Sequence, residues 1–98
     1  MEKCIMNDNP PYWRNFRFDG SERHEAFFGR KNRQKSIDDG LVVYLTPEQH
    51  RGTKGIHGKL GHKFDMYLKT EAEKKWLEYY NKTIEDFINR YGRNYIDK

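Results

Sequence analysis

Four histidines lie in the middle of the chain, and their imidazoles suit metal or proton-transfer chemistry. They are His24, His50, His57 and His62. Imidazole binds transition metals and changes charge near neutral pH. The same region holds the excess positive charge: residues 23–63 contain nine Lys/Arg and four Asp/Glu (+5), against −1 for residues 1–22 and zero for residues 64–98. Potential metal ligands inside a basic region favour a protein that acts on phosphates.

The basic side chains are densest in segment 30–36, which has no apolar residue and is predicted to be an exposed irregular loop. Lys and Arg neutralise phosphates and release counterions, although such a run is equally compatible with a solvated face that binds nothing. Two further basic residues flank the later histidines. The candidate nucleic-acid contacts are Arg30, Lys31, Arg33, Lys35, Arg51 and Lys54.

Length and composition predict one small cytoplasmic domain. The chain has 98 residues, of which 35% are hydrophobic and 15% aromatic, so a small core rich in large rings is expected. No apolar run approaches the roughly 20 residues of a membrane helix, and no secretory signal is expected. The single cysteine, Cys4, has no internal disulfide partner, which favours a reducing compartment.

Two strands are predicted before the first helix that carries a histidine. Phe16, Arg17 and Phe18 alternate as a half-buried strand does, and Asp19-Gly20 is typical of a tight turn. Residues 22–28 are then predicted to be the returning strand, carrying His24. Residues 41–45 are short, β-branched and apolar, which predicts a second, central strand.

Helix boundaries are marked by capping residues. Residues 36–39 before Gly40 predict a single capped turn. Thr46 and Gln49 form a capping box with proline between them, so a helix should begin here and carry His50. Repeated glycines make residues 51–62 irregular. Amphipathic helix resumes near residue 63, and a second capping box at Thr83 opens a last helix with Ile84, Phe87, Ile88 and Tyr91 inward.

A strand that packs against a helix brings a strand residue and a first-turn helix residue together. We therefore expect His24 and His50 to share one site. A divalent ion there would offset charge on a scissile phosphate, and His24 or Glu25 would remove a proton from water.

The run 22–29, with Asn32-Arg33, segment 40–45, His50 and segment 55–57, resembles small phage-encoded proteins of the HNH, or ββα-metal, nuclease type. The C-terminal part is similar to the end of those proteins. The resemblance implies an α+β fold: a small ββα-metal core with a β-hairpin, an irregular basic loop and two C-terminal amphipathic helices. In a single domain of 98 residues, 1–11 would be an N-terminal connector, 12–62 the core and 63–98 the helical part.

The resemblance also implies residue roles. His24 would be a metal ligand and Glu25 would stand where a base is expected; in the alternative register His24 is the base and Arg23 occupies the ligand position. Asn32 would brace the loop, while His50 and His57 would complete a site for a divalent ion (Mg, Mn, Ni or Zn). A zinc knuckle that includes Cys4 is doubtful, because other thiolates are lacking.

Three function classes stay open. The first is a metal-dependent endonuclease or nickase acting on DNA. The second is a catalytically inactive HNH-like nucleic-acid-binding protein, which the glutamate at position 25 favours. The third is a phage inhibitor whose partner is a host protein such as a defence nuclease.

Overall fold

The computed structural model describes residues 3–96. Two antiparallel strands and four helices make up an α+β fold. In chain order the elements are β1 (Glu22–Glu25), α1 (Arg33–Asp39), β2 (Val42–Leu45), α2 (Pro47–Arg51), α3 (His62–Tyr80) and α4 (Ile84–Tyr91).

The β-hairpin pairs β1 with β2, in a register that sets His24 opposite Val43. This corrects two sequence predictions. Residues 16–18 are not a strand, and β1 ends at Glu25 instead of continuing to residue 28. The turn at residues 18–21 does form, with the Ser21 amide donating to the Phe18 carbonyl at 2.9 Å. Segment 14–18 instead touches β2 through one bridge between Arg14 and Tyr44.

Helix α1 replaces most of the predicted irregular basic loop. It begins at Arg33, although only residues 36–39 were expected to be helical. The Ser36 hydroxyl, buried inside α1, accepts from the Phe27 amide at 3.1 Å and donates to the Phe27 carbonyl at 2.8 Å. This contact with the chain after β1 stabilises a helix that has no strong local signal. Gly40 ends it in the left-handed conformation, as predicted.

The other helix starts follow the capping signals. Thr46 with Gln49, and Thr83 with Asp86, form complete capping boxes at α2 and α4. One inward-facing prediction in α4 is wrong, because Ile88 is exposed while Phe87 and Tyr91 are buried.

The core lies between β2 and the two C-terminal helices. All four β2 residues are buried, as expected of a central strand. The largest apolar side chains that are fully buried come from β2, from the residues next to the two strands, and from α3 and α4: Phe27, Leu41, Leu45, Leu68 and Phe87. Helix α2 contacts both strands of the hairpin directly.

A buried carboxylate at the end of α1 joins three helices. Asp39 accepts hydrogen bonds from Trp76 Nε1 at 2.8 Å and the Tyr91 hydroxyl at 2.6 Å. It also accepts two from the Arg90 guanidinium, at 2.6 and 2.8 Å. Since a buried charge is tolerated only when it is paired, this network ties α1 to α3 and α4.

A second buried carboxylate is less well paired. Glu73 in α3 is fully buried; one oxygen accepts from the Tyr95 amide at 2.6 Å, and the other has no hydrogen-bond partner among residues 3–96. Burial raises the pKa of Glu73 above its usual value.

Candidate metal centre

Three of the four histidines converge at the base of one cleft. His24 comes from β1, His50 from α2 and His57 from the loop that follows α2. Their ring centroids lie 4.9–5.2 Å apart, and one ring nitrogen from each lies within 4.8 Å of the other two. The expected meeting of His24 and His50 is therefore observed.

His24 is the deepest of the three, with 2% of its surface exposed. Its Nε2 is buried and has no hydrogen-bond partner among residues 3–96. Burial, then the neighbouring His57 and His50, lower the pKa of His24 to about 3. The ring is thus neutral at pH 7. Burying its Nε2 away from water costs free energy, and no hydrogen bond from residues 3–96 offsets that cost.

His50 is oriented by a carboxylate from β1. Its Nδ1 lies 2.8 Å from Glu22 Oε1, and the Arg51 guanidinium donates to both oxygens of Glu22 at 3.0 and 2.7 Å. These hydrogen bonds, from Arg51 and then His50, lower the pKa of Glu22. In the neutral tautomer that donates Nδ1–H to the Glu22 carboxylate, the Nε2 lone pair of His50 is available to a ligand.

His57 is presented by a chain of turns in which every third residue is a glycine. The amides of Gly55, Gly58 and Gly61 each donate to the carbonyl of the glycine three residues earlier, at 2.8–3.1 Å. A Cβ at Gly58 or Gly61 would lie within 2 Å of a backbone oxygen, so only glycine fits there. Burial, then nearby His50, lowers the pKa of His57, which favours the neutral form of this ring.

Three converging imidazoles fit a first-row transition metal. Zinc commonly takes three protein ligands and keeps a fourth position open when it is catalytic. Magnesium prefers oxygen donors, so the nitrogen donors of this cluster favour Zn, Ni or Mn over Mg. The unpartnered Nε2 of His24 is the observation that indicates a ligand at this place.

Four arginines line the same cleft as the histidines. The cleft has a volume of about 930 Å³, and its arginines are Arg17, Arg23, Arg30 and Arg33. Guanidinium is a fixed positive charge whose paired donors match phosphate oxygens. A phosphate group that entered the cleft would meet positive charge beside the histidine cluster.

Glu25, the predicted base, also lines the cleft, but both of its oxygens are engaged. Oε2 lies 3.1 Å from Arg23 Nε and Oε1 lies 2.9 Å from Arg33 Nε. The Arg33 side chain is 66% exposed, so its end of the pair is accessible to a ligand. Glu25 thereby holds two of the arginines at the cleft.

Other predicted contacts lie elsewhere. Lys35 donates to the Arg90 carbonyl at 2.8 Å on the side of α4, and Lys54 lines a separate hollow with Phe64. Arg51 is paired with Glu22, and Lys31, although exposed, is not among the residues that line the cleft. Of the six predicted basic contacts, only Arg30 and Arg33 line the cleft.

Three further predicted positions also lie outside the histidine cluster. Asn32 donates to the Tyr91 carbonyl at 3.2 Å, so it braces the start of α1 against α4. His62 is the exposed first residue of α3. Cys4 lies beside β2, with its Sγ donating to the Val42 carbonyl at 3.2 Å.

Sequence reasoning missed several cleft residues. Arg17 and Arg23 were assigned to strands and given no binding role, and Phe28 was not singled out. Glu22 was missed too, although its spacing of two from His24 places both on one face of β1. Only the fold shows that this face meets α2.

No protein-family model, no curated protein and no solved structure matches the chain. Over residues 3–96, none of the helices is both long enough and apolar enough to cross a bilayer. A function therefore has to be argued from the chemistry of the cleft.

Proposed function

We propose that the protein is a metal-dependent endonuclease or nickase that hydrolyses DNA phosphodiester bonds in the arginine-lined cleft, as its resemblance to HNH-type proteins implies. The observation that carries the proposal is the convergence of three imidazoles, one with an unpartnered buried nitrogen, in a cleft that four arginines also line. The histidines suit the cation that the reaction needs, and the arginines suit the phosphate group of the substrate.

In this proposal His24, His50 and His57 would hold the ion. When bound, the ion would supply positive charge that stabilises the pentavalent transition state and the leaving oxygen. The arginines would orient the phosphodiester beside the cluster, since they line the same cleft as the three histidines. Glu22 would keep His50 in the ligand tautomer through its hydrogen bond to Nδ1.

The hydrolytic step would use Glu25 as the proton acceptor. Water oxygen forms a bond to phosphorus, its proton passes to the Glu25 carboxylate, and the bond from phosphorus to one bridging oxygen breaks; the released hydroxyl takes its proton from solvent. For this to occur, Arg33 would exchange Glu25 for the substrate phosphate. The high exposure of the Arg33 side chain supports such an exchange.

The test is cleavage of plasmid and oligonucleotide DNA with Zn²⁺, Ni²⁺, Mn²⁺ or Mg²⁺ added to metal-free protein. We expect ion-dependent nicking that falls to background in His50→Ala and His57→Ala, because each loses one ligand. His62→Ala is the matched control, since this histidine is exposed and lies outside the cluster. Cleavage that persists in both cluster variants, or that needs no ion, would contradict the proposal.

Nucleic-acid binding without catalysis is the second candidate, and the two ion pairs of Glu25 favour it. If the wild-type protein cleaves DNA, Glu25→Gln distinguishes two roles of this residue: a base is expected to contribute about 100- to 10,000-fold to kcat, whereas a residue that only holds arginines would change KM. Salt-sensitive DNA binding by wild-type protein with no cleavage under any ion would establish the second candidate.

A further inference from the structure

An exposed aromatic strip adjoins the cleft. Phe16 is 50% exposed, and its ring centroid lies 6.4 Å from that of the partly exposed Phe18. The two rings border a hollow of about 450 Å³ whose lining is mostly apolar. The residues that line it are Pro11, Trp13, Arg14, Phe16, Phe18, Thr46 and Gln49.

The strip is held in place by the sheet. Arg14 exchanges two backbone hydrogen bonds with Tyr44 of β2, at 3.1 and 2.8 Å. The Arg17 guanidinium lies over the Tyr44 ring, 5.0 Å from its centroid. Segment 14–18 is therefore attached to the buried strand, and its two phenyl rings project from a fixed base.

The strip is also connected to the arginines proposed to bind phosphate in the cleft. Arg17 stands between Phe16 and Phe18 in the chain and is itself one of the four cleft arginines. Arg14 also lines the hollow. In the sequence the two phenylalanines follow Arg14 and are separated by Arg17, and the positive charge of these arginines complements a phosphate backbone.

We propose that this strip binds unpaired nucleotides, so that the substrate is single-stranded DNA or a single-stranded segment next to the cleavage point; this inference rests on the proposed function. Phenyl rings stack on bases of any sequence, while interleaved arginines neutralise the phosphates between them. In a duplex the base faces are covered by neighbouring pairs, so Phe16 and Phe18 would have nothing to stack on. The strip therefore selects unpaired strands.

The experiment measures binding of fluorescein-labelled dT₂₀ and of a 20-base-pair duplex to metal-free protein by fluorescence anisotropy. We expect wild-type protein to prefer the single strand, and Phe16→Ala to weaken that binding by about 5- to 150-fold, the range for one lost stacked base. Duplex binding should change little. Phe16→Trp should restore the single-strand preference, and Ile88→Ala, which removes an exposed apolar residue of α4, is the control.

Equal affinity of wild-type protein for both probes, or unchanged dT₂₀ binding in Phe16→Ala, would overturn the inference. Melting temperatures of the variants establish that each is folded. The cleavage assay tests the nuclease proposal separately. Nicking that depends on the histidines but not on Phe16 would refute the proposed role of the aromatic strip and leave the proposed nuclease activity standing. Single-strand binding that depends on Phe16, without cleavage under any ion, would support the proposed role of the strip and refute the proposed nuclease activity.

Discussion

The hydrogen bond between Glu22 and His50 gives the sharpest test of the histidine cluster. Glu22→Gln keeps an acceptor oxygen near Nδ1 but removes the negative charge that makes His50 a better donor to a metal. Loss of such an outer partner commonly weakens metal binding about 10- to 100-fold. In this protein Arg51 already shares the carboxylate and neutralises part of its charge, so we expect the lower end, about tenfold or about 1.4 kcal/mol.

Zinc affinity would be measured by competition with a chromophoric chelator. Glu22→Ala should weaken binding more than Glu22→Gln, since it also removes the acceptor, and circular dichroism checks that both remain folded. Glu48→Gln is the matched control, because Glu48 is an exposed carboxylate of α2 outside the cluster. Unchanged zinc affinity in Glu22→Ala, or the absence of zinc binding by wild-type protein, would refute the reasoning.

The buried carboxylates of Asp39 and Glu73 give further predictions. Asp39→Ala should lower the free energy of unfolding in urea by about 3 kcal/mol, because Arg90 and two other donors lose their partner; exposed Asp38→Ala should cost far less, and equal losses would contradict the prediction. The raised pKa of Glu73 means that the folded state keeps this proton to a higher pH than the unfolded chain. Its contribution to stability is therefore lost as pH rises above 4.5 toward neutrality. Glu73→Gln should flatten that pH dependence in urea titrations, and an unaltered slope would show that Glu73 does not cause it.

Locally encoded features could be predicted from the sequence. The capping boxes at Thr46 and Thr83 set two helix starts, because cap and partner lie three residues apart. The buried strand β2 follows from its run of apolar residues, and Gly40 ends α1 where a left-handed residue is needed. Each of these signals is complete within a few residues of chain.

Features that depend on distant partners could not be predicted. Residues 16–18 alternate like a strand, yet β2 pairs with β1, and the bridge from this segment to β2 is made by Arg14 instead. Helix α1 depends on the contact between Ser36 and Phe27. The same distinction applies to the candidate site. The convergence of His24 and His50 could be predicted because the strand and the helix that carry them were predicted. The contact between Glu22 and His50, which are 28 positions apart, could not.

The glycine turns that carry His57 restrict how this site can change through evolution. Each turn spans three residues and is stacked on the one before, so an insertion or deletion of one or two residues would rotate the imidazole away from its two companions. Only the gain or loss of an entire turn would preserve its direction, and that would move the ring along the stack. The interval of seven residues between His50 and His57 should therefore be as invariant among descendants of this gene as the histidines themselves.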